Sequence, residues 1–162
     1  MMQEPAVCVV DPVNGGLAGC SRRYEKSLRD MQGIYRDGGA FDSAVRADGG
    51  ALVYYVEDFR PNERAGDLIF GTTWMAPGRI GAEYYMTRGH IHARGDRPEI
   101  YYVQSGTGVM LMESPAGEVR AVDLGPQSLC YVPPFWIHRS VNTGAAPLVM
   151  VFAISFGINR LK

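Results

Sequence analysis

From Leu52 onward, apolar and polar residues form short runs that are separated by turn-forming residues such as Pro77-Gly78 and Gly125-Pro126. Runs of this kind, rich in β-branched and aromatic residues, are typical of β-strands. The predicted strands are Leu52–Val56, Asp67–Met75, Ala82–Thr87, Glu99–Gln104, Gly108–Ser114, Glu118–Leu124, Ser128–Val132 and Pro147–Ile154. Many short strands at regular spacing, with no helix long enough for a parallel crossover, predict a closed or sandwiched all-β body.

The first third of the chain has a different pattern and predicts two short helices. The first begins at a possible cap, Ser21, and its apolar positions recur at helical spacing: Tyr24, Leu28, Met31 and Tyr35. The second contains Phe41, Ala44 and Val45 and ends at Asp48-Gly49-Gly50. We expect both helices to pack against the sheet.

Composition narrows the possible partners. The 162 residues fit one domain, and 46% hydrophobic residues are enough for a core without disulfides. The charges, 16 basic against 17 acidic residues, are scattered and give a net charge of −1. Nucleic acid is therefore not expected as the main partner, since it requires a concentrated basic face. A small phosphorylated ligand needs only a few local donors and stays possible.

The cysteines and the N-terminus point to a cytoplasmic protein. Cys8, Cys20 and Cys130 form no CxxC pair, so we interpret them as reduced thiols, with a redox role as the alternative. The N-terminus lacks the basic region and the apolar length of a signal peptide, and no segment approaches the length of a membrane span.

The histidines carry the candidate chemistry. The chain has three, and His90 and His92 are spaced so that both would point to one face of a strand. With Glu99 and His138 they would provide three imidazoles and a carboxylate, a set that suits Fe²⁺, Mn²⁺, Zn²⁺ or Ni²⁺. Octahedral coordination would leave two positions for substrate oxygens. The spacing of these four residues alone does not decide between metal binding and histidines that are ordinary core or surface residues.

These residues lie in two segments that resemble the two cupin motifs. The first segment is Gly89-His90-x-His92 followed by Glu99 and Gly106, and the second is Pro133-Pro134-x-x-x-His138-x-x-x-Asn142. The resemblance implies a cupin double-stranded β-helix barrel with a short N-terminal helical segment. It also implies one bound divalent metal ion, Fe²⁺ first among the four, with His90, His92, Glu99 and His138 as its ligands. We expect one domain over residues 1–162, with an arm over 1–50 and the barrel over 51–156.

Further blocks resemble the cupin-type glucose-6-phosphate isomerases. They are Thr72-Thr73, Pro77-Gly78-Arg79-Ile80-Gly81-Ala82-Glu83-Tyr84, Thr87-Arg88-Gly89-His90-Ile91-His92, Glu99-Ile100-Tyr101 and the segment from Tyr131 to Gly144. Several separated blocks in the right order are more specific than either cupin motif alone. The resemblance implies a metal-dependent aldose–ketose isomerase of glycolysis and gluconeogenesis, acting on glucose 6-phosphate and fructose 6-phosphate.

The resemblance also implies roles for individual residues and a homodimer. Glu99 would be the catalytic residue as well as a ligand, although a hydride shift between the two metal-held oxygens is the competing mechanism. The substrate-binding residues would be Tyr54, Thr73, Thr87, Gly89 and Tyr101. Ile154 stands where the family has a phosphate-binding tyrosine. We therefore expect either weak activity or a replacement contact from Arg160, Lys162 or a partner chain.

Two other functions remain as alternatives. One is a non-catalytic or degenerate cupin that binds a metal or a sugar phosphate. The other is a different metal-dependent cupin enzyme, such as a dioxygenase, which would use the open metal positions for O₂. The isomerase-like blocks around Pro77 and Thr87 favour the isomerase.

Overall fold

A computed structural model describes residues 4–62, 64, 66–89 and 95–155 of the chain. Within these ranges it contains a 3₁₀ helix, Leu28–Met31, an α-helix, α1 (Gly38–Asp48), and thirteen strands. The strands are β1 (Val9–Val10), β2 (Leu17–Ala18), β3 (Arg22–Ser27), β4 (Leu52–Phe59), β5 (Leu68–Met75), β6 (Arg79–Ile80), β7 (Glu83–Tyr84), β8 (Glu99–Ser105), β9 (Gly108–Glu113), β10 (Val119–Leu124), β11 (Leu129–Val132), β12 (Ile137–Asn142) and β13 (Leu148–Ser155).

Two antiparallel sheets enclose the core. The larger has six strands in the order β11-β8-β13-β5-β4-β3, and the smaller has the order β10-β9-β12. Strand β13 lies in the middle of the larger sheet, where its almost continuous apolar sequence suits burial on both faces. The core contains Met150 and Val103 from the larger sheet and Met110 and Leu124 from the smaller one. The predicted all-β fold is therefore confirmed.

Most of the strands predicted from Leu52 onward are confirmed, but β6 and β12 are added and one predicted strand is much shorter. Strand β12 was not predicted, because its inward-facing residues are polar and its apolar pattern is weak. The predicted strand Ala82–Thr87 is reduced to the two residues of β7, which pair with β6 in a small hairpin. The chain then continues as a loop that is bridged to β12 through Met86 and Val141.

The first predicted helix is wrong, and the second is confirmed as α1. Residues Arg22–Ser27 form β3, which pairs with β4, and only Leu28–Met31 is helical. Ser21 does not cap a helix; its hydroxyl oxygen accepts a hydrogen bond from the Arg60 backbone N–H. Pairing with β4 supplies hydrogen bonds to the whole segment, and this outweighs the helical spacing of its few apolar residues.

The N-terminal hairpin of β1 and β2 is fastened to the outer face of the larger sheet. Oε2 of Glu57 accepts from Leu17 N at 2.5 Å, and Oγ1 of Thr72 donates to the Gly15 carbonyl at 2.5 Å. Arg23 donates to Glu57 as well, at 2.7 Å. Across the described part of the chain, neither helix is long and apolar enough to cross a membrane.

Candidate active site

Glu99 and His138 meet inside the barrel, although 39 positions separate them in the sequence. Glu99 begins β8 and His138 is the second residue of β12, one strand from each sheet. Oε2 of Glu99 lies 3.1 Å from Nε2 of His138, and the two side chains are 3% and 1% exposed. Two polar side chains are thus withdrawn almost completely from water at one point of the interior.

The orientation of His138 suits a bound cation. Its Nδ1 lies 3.3 Å from the Trp136 carbonyl oxygen, which only accepts hydrogen bonds, so the ring hydrogen belongs on Nδ1. Nε2 then directs a lone pair towards the Glu99 carboxyl group. A shared proton or a cation would stabilise this arrangement, in which the two atoms lie 3.1 Å apart. A backbone acceptor on the other ring nitrogen is the usual arrangement of metal-binding histidines.

Tyr101 completes this group of side chains. Its hydroxyl lies 3.3 Å from Nε2 of His138, and the two rings meet edge to face with centroids 5.9 Å apart. Burial, together with the nearby Glu99 carboxyl group, raises the pKa of Tyr101 well above its ordinary value. The hydroxyl therefore keeps its hydrogen at neutral pH and can donate it.

Tyr54 and Thr73 lie on the same inward face of the larger sheet as Glu99. Tyr54 is 5% exposed, and its pKa is raised by burial, while a hydrogen bond to the Arg88 backbone opposes that rise. Thr73 is also 5% exposed and lies opposite Val56 on one side and Met150 on the other. The structure therefore brings these two residues to the interior, on the face of the larger sheet that carries Glu99.

Thr87 and Gly89 lie on the loop that follows β7 and runs along β12. Thr87 exchanges two hydrogen bonds with the Ser140 backbone, with its N–H donating at 2.9 Å and its Oγ1 accepting at 3.1 Å. Gly89 has a φ of +77°, and a Cβ there would lie 3.4 Å from the His138 carbonyl oxygen. The loop is therefore fixed to the strand that carries His138.

Four predicted residues lie outside the described part of the chain. They are the predicted ligands His90 and His92 and the alternative phosphate donors Arg160 and Lys162. Among residues 4–62, 64, 66–89 and 95–155, no three His, Cys, Asp or Glu side chains converge in a metal-binding group. Glu99 and His138 are the pair of predicted ligands for which the structure gives a geometry.

Tyr24, which the apolar spacing assigned to a helix, lies on the edge strand β3 and is 40% exposed. It lies opposite Val56, in the same strand register as the face that carries Tyr54 and Tyr101. Burial raises its pKa to about 12, with Tyr54 as the next cause. The segment Arg22–Ser27 has Tyr24 as its one apolar residue, so no alternation of apolar and polar residues signals a strand there.

The two sheets, with buried glutamate and histidine side chains between them, give the chain a cupin fold. Its fold is similar to that of an oxalate oxidase, with a TM-score of 0.54 and 17% identity over 64% of this chain and 51% of that chain. The cupin domain of Cnp3 from Schizosaccharomyces pombe gives a TM-score of 0.51 and 9% identity over 64% of this chain and 65% of that one. At these identities the likeness shows the fold alone.

Sequence comparison identifies the family within this class. The family model for glucose-6-phosphate isomerase matches residues 25–158, which include the four predicted metal ligands and the five predicted substrate-binding residues. The glucose-6-phosphate isomerase of Sinorhizobium medicae (strain WSM419) is 55% identical over 149 residues, 92% of this chain and 70% of that protein. The chain belongs to the glucose-6-phosphate isomerase family, and the resemblance predicted from its motifs is confirmed.

Proposed function

We propose that this protein is a metal-dependent isomerase that interconverts glucose 6-phosphate and fructose 6-phosphate, a reaction of glycolysis and gluconeogenesis. The observation that supports this most is the buried contact between Glu99 and His138, with the Tyr101 hydroxyl beside it. Aldose–ketose isomerisation needs a base for a carbon-bound proton and groups that stabilise charge on oxygen. This group of side chains offers both in a chain of the isomerase family.

A divalent metal ion fits the donor atoms at this place. His90, His92, Glu99 and His138 would hold it, with Fe²⁺ as the first candidate and Mn²⁺, Zn²⁺ or Ni²⁺ as alternatives for such a nitrogen and oxygen set. When bound, such an ion would polarise the oxygens on C1 and C2 of the sugar and stabilise negative charge on them. The buried carboxyl and imidazole groups, whose nearest atoms lie 3.1 Å apart, support this part of the proposal, because carboxylate oxygens and imidazole nitrogens are typical ligands of such an ion.

Glu99 is the residue that we assign to proton transfer. In glucose 6-phosphate its carboxylate takes the hydrogen on C2 as a proton, the electrons of that bond form the C1–C2 double bond, and the electrons of the C1 carbonyl bond move to O1, which gives an enediolate. The proton on Glu99 then returns to C1, and the proton on O2 passes to O1, so that O2 becomes the ketose carbonyl and O1 becomes a hydroxyl. The Tyr101 hydroxyl, which stays protonated, can donate a hydrogen bond to the oxygen that carries the developing charge.

The direct test is turnover by protein that has been stripped with EDTA and then reloaded separately with each of the four ions. We expect at least one ion to restore formation of glucose 6-phosphate from fructose 6-phosphate. Metal binding without turnover under any ion would contradict the isomerase and favour a non-catalytic sugar-phosphate-binding cupin. Oxygen consumption with Fe²⁺ would instead favour a dioxygenase.

The same assay in deuterium oxide separates the two mechanisms of hydrogen transfer. If Glu99 carries the proton, deuterium from the solvent should enter the product at C1 or C2, because a carboxylic acid exchanges its proton with water. Complete retention of the original hydrogen would contradict this role for Glu99 and favour a hydride shift.

We also propose a location, a domain organisation and an oligomeric state. The protein would be cytoplasmic, residues 1–162 would form one domain, and two copies would form a homodimer. Support for the homodimer comes from the outer face of the larger sheet, where Leu129, Tyr131 and Ile100 are 70%, 58% and 45% exposed. Tyr131 and Ile100 lie directly opposite each other on β11 and β8, so their side chains form one apolar surface.

A further inference from the structure

Phe135 has a backbone conformation that bulky residues rarely adopt. It lies between β11 and β12, directly after Pro133-Pro134, and its φ is +70°. In this left-handed region the Cβ of an L-residue lies close to the following carbonyl oxygen, so glycine or asparagine usually occupies such a turn position. Among the described residues other than glycine, Gln127, with a φ of +68°, is the one other case. The turn therefore holds an aromatic residue in a strained conformation.

Burial of the Phe135 ring does not account for this strain. Phe135 is 53% exposed, so about half of its surface stays in water. A core aromatic residue could offset the strain by removing a large apolar area from water, but a half-exposed one does so only in part. Strained residues persist where their surroundings hold them, and they are concentrated at functional sites. The neighbours of Phe135 therefore matter.

On one side, Phe135 is held against Gly95, in the segment that leads to Glu99. The Phe135 N–H donates a hydrogen bond to the Gly95 carbonyl oxygen. A Cβ at position 95 would lie 3.0 Å from Cδ1 and 3.5 Å from Cε1 of Phe135, so the ring lies directly over the glycine. Gly95 comes four residues before Glu99. The backbone and the ring of Phe135 thus both contact the segment that precedes this predicted ligand.

On the other side, Phe135 is bonded to Trp136, whose carbonyl oxygen lies 3.3 Å from Nδ1 of His138. The Trp136 side chain packs against the hydrophobic core and so anchors this residue. The direction of its carbonyl group depends on the backbone of the turn, in which Phe135 takes the unusual conformation. One strained residue therefore connects the segment before Glu99 with the group that orients the His138 imidazole.

Gln127 has the same kind of backbone without these neighbours. It is exposed, and its N–H donates to the Val103 carbonyl oxygen at 2.8 Å in the turn between β10 and β11. Strand β11 begins after Gln127 and ends at Val132, which lies opposite Glu99. Gln127 therefore lies at the end of β11 that is remote from Glu99, whereas Phe135 follows the near end.

We propose that Phe135 is a positioning residue: its left-handed backbone and its ring on Gly95 hold His138 and the segment before Glu99 in the arrangement that binds the metal ion. The proposal rests on the proposed function for the metal ion as the ligand. Groups that orient the ligands of a metal ion strengthen its binding, because less freedom is lost when the ion binds.

The test is binding of Co²⁺, followed by its visible absorption, to the metal-free full chain and to three variants. Phe135→Gly removes the ring and the backbone restriction, and we expect it to bind Co²⁺ about 10-fold or more weakly. Its absorption bands should also change, because they depend on the arrangement of the ligands. Phe135→Tyr keeps the ring and should bind as the unaltered protein does. Gln127→Gly makes the same backbone change away from the site and should also leave binding unaltered.

Hydrogen exchange in the metal-free protein separates a local effect from a general loss of stability. The amide of residue 135 should exchange about 10-fold or more faster in Phe135→Gly than in the unaltered protein, because its bond to Gly95 is weakened. The amide of Val103, which donates to the Ser128 carbonyl oxygen in the core region, should exchange equally in both. Phe135→Asn fits the left-handed backbone and lacks the ring, so it carries the test if Phe135→Gly does not fold.

Unchanged Co²⁺ affinity in Phe135→Gly, or an equal loss in Gln127→Gly, would overturn the positioning role. Turnover by the metal-loaded unaltered protein would then leave the isomerase intact. Conversely, weaker binding in Phe135→Gly alone supports the positioning role even if the unaltered protein does not turn over fructose 6-phosphate, and the isomerase alone would then be contradicted. An unaltered protein that binds no metal ion would contradict both.

Discussion

Gly89 shows how a single backbone position supports the site. Its φ of +77° is unfavourable for residues with a side chain, and a Cβ there would lie 3.1 Å from Nε and 3.3 Å from Nη2 of Arg139. Arg139 follows His138 on β12. A side chain at position 89 would therefore press on the strand that presents the buried imidazole.

Gly117 provides a control for this position. It has a φ of +79° in the turn between β9 and β10, with no atom within 4 Å of its Cβ position. We expect Gly89→Ala and Gly117→Ala each to lose about 1–2 kcal/mol of unfolding free energy from backbone strain. Gly89→Ala alone should lower kcat/KM, by about 10-fold or more. Urea denaturation and steady-state kinetics measure the two effects, and equal kinetics for both variants would contradict the role of Gly89.

Burial of the Tyr35 hydroxyl should make the free energy of unfolding decrease at alkaline pH. Its hydroxyl is buried and forms no hydrogen bond with the described residues, although the Met86 backbone lies near it. Burial, and next the neighbouring Tyr85, raise its pKa above the ordinary value of 10.0. Below that value both folded and unfolded states are neutral. As the pH rises above it, only the unfolded state ionises, so stability is lost.

Tyr35→Phe should remove this contribution. We expect the variant to be at least as stable as the unaltered protein at neutral pH, because it buries no hydroxyl group. Between pH 9 and about 11, its unfolding free energy should fall less steeply. Urea denaturation across this range measures both. A parallel loss of stability in the two proteins would show that the Tyr35 hydroxyl does not contribute.

Among the secondary-structure elements, β3 shows why an apolar spacing can mislead. Leu28, Met31 and Tyr35 are all buried, as the predicted helix required. The 3₁₀ helix buries Leu28 and Met31, and Tyr35 stacks on Phe41 of α1 with ring centroids 5.9 Å apart. The burial was therefore predictable from the sequence, but the backbone conformation depends on pairing with β4, which is distant in the chain.

Strand β12 was missed for the opposite reason. Its inward residues are His138, Ser140 and Asn142, which are 2%, 4% and 0% exposed. Strand prediction assumes that inward positions are apolar. A strand that lines a site has polar residues at its inward positions instead. The motif around His138 therefore predicted a metal ligand in a segment for which the apolar pattern predicted no strand. The nearness of Glu99 and His138 could be predicted from the cupin resemblance, whereas the position of Thr73 opposite Val56 required the strand register.

The N-terminal end of α1 offers a test of the helical segment. Oδ1 of Asp37 accepts from the Ala40 N–H at 2.8 Å and caps the helix. We expect Asp37→Ala to cost about 1 kcal/mol, which corresponds to a drop in Tm of about 2–4 °C for a chain of this size. The exposed Asp42→Ala, within the same helix, should change Tm by much less. Equal drops in thermal unfolding would contradict the capping role.

For the whole molecule, the two faces of the larger sheet have different roles. The inward face carries the proposed active site. The outer face is covered at one end by the N-terminal hairpin, which contacts Glu57 and Thr72, and is apolar and exposed at the other end around Tyr131. The proposed homodimer would cover this second end.

A charge at Tyr131 tests the homodimer. Tyr131→Lys places an ammonium group in the exposed apolar surface, and we expect it to shift the protein from dimer to monomer in light scattering coupled to gel filtration. Val119→Lys is the control, because Val119 is 62% exposed on the other sheet. A Tyr131→Lys protein that stays dimeric, or an unaltered protein that is monomeric, would contradict the proposed interface.

The buried pair of Glu99 and His138 is proposed to hold the metal ion on which isomerisation depends. The most direct measurement is the metal content of the purified protein together with its turnover of fructose 6-phosphate, in His138→Ala and in Ser140→Ala. Ser140 is buried on the same face of β12, and its hydroxyl contacts only the Met110 sulfur among the described residues. We predict that His138→Ala loses the metal and more than about 100-fold of its turnover, while Ser140→Ala keeps both. Turnover that persists in metal-free His138→Ala would contradict the proposed role of Glu99 and His138 in holding a metal ion that isomerisation needs.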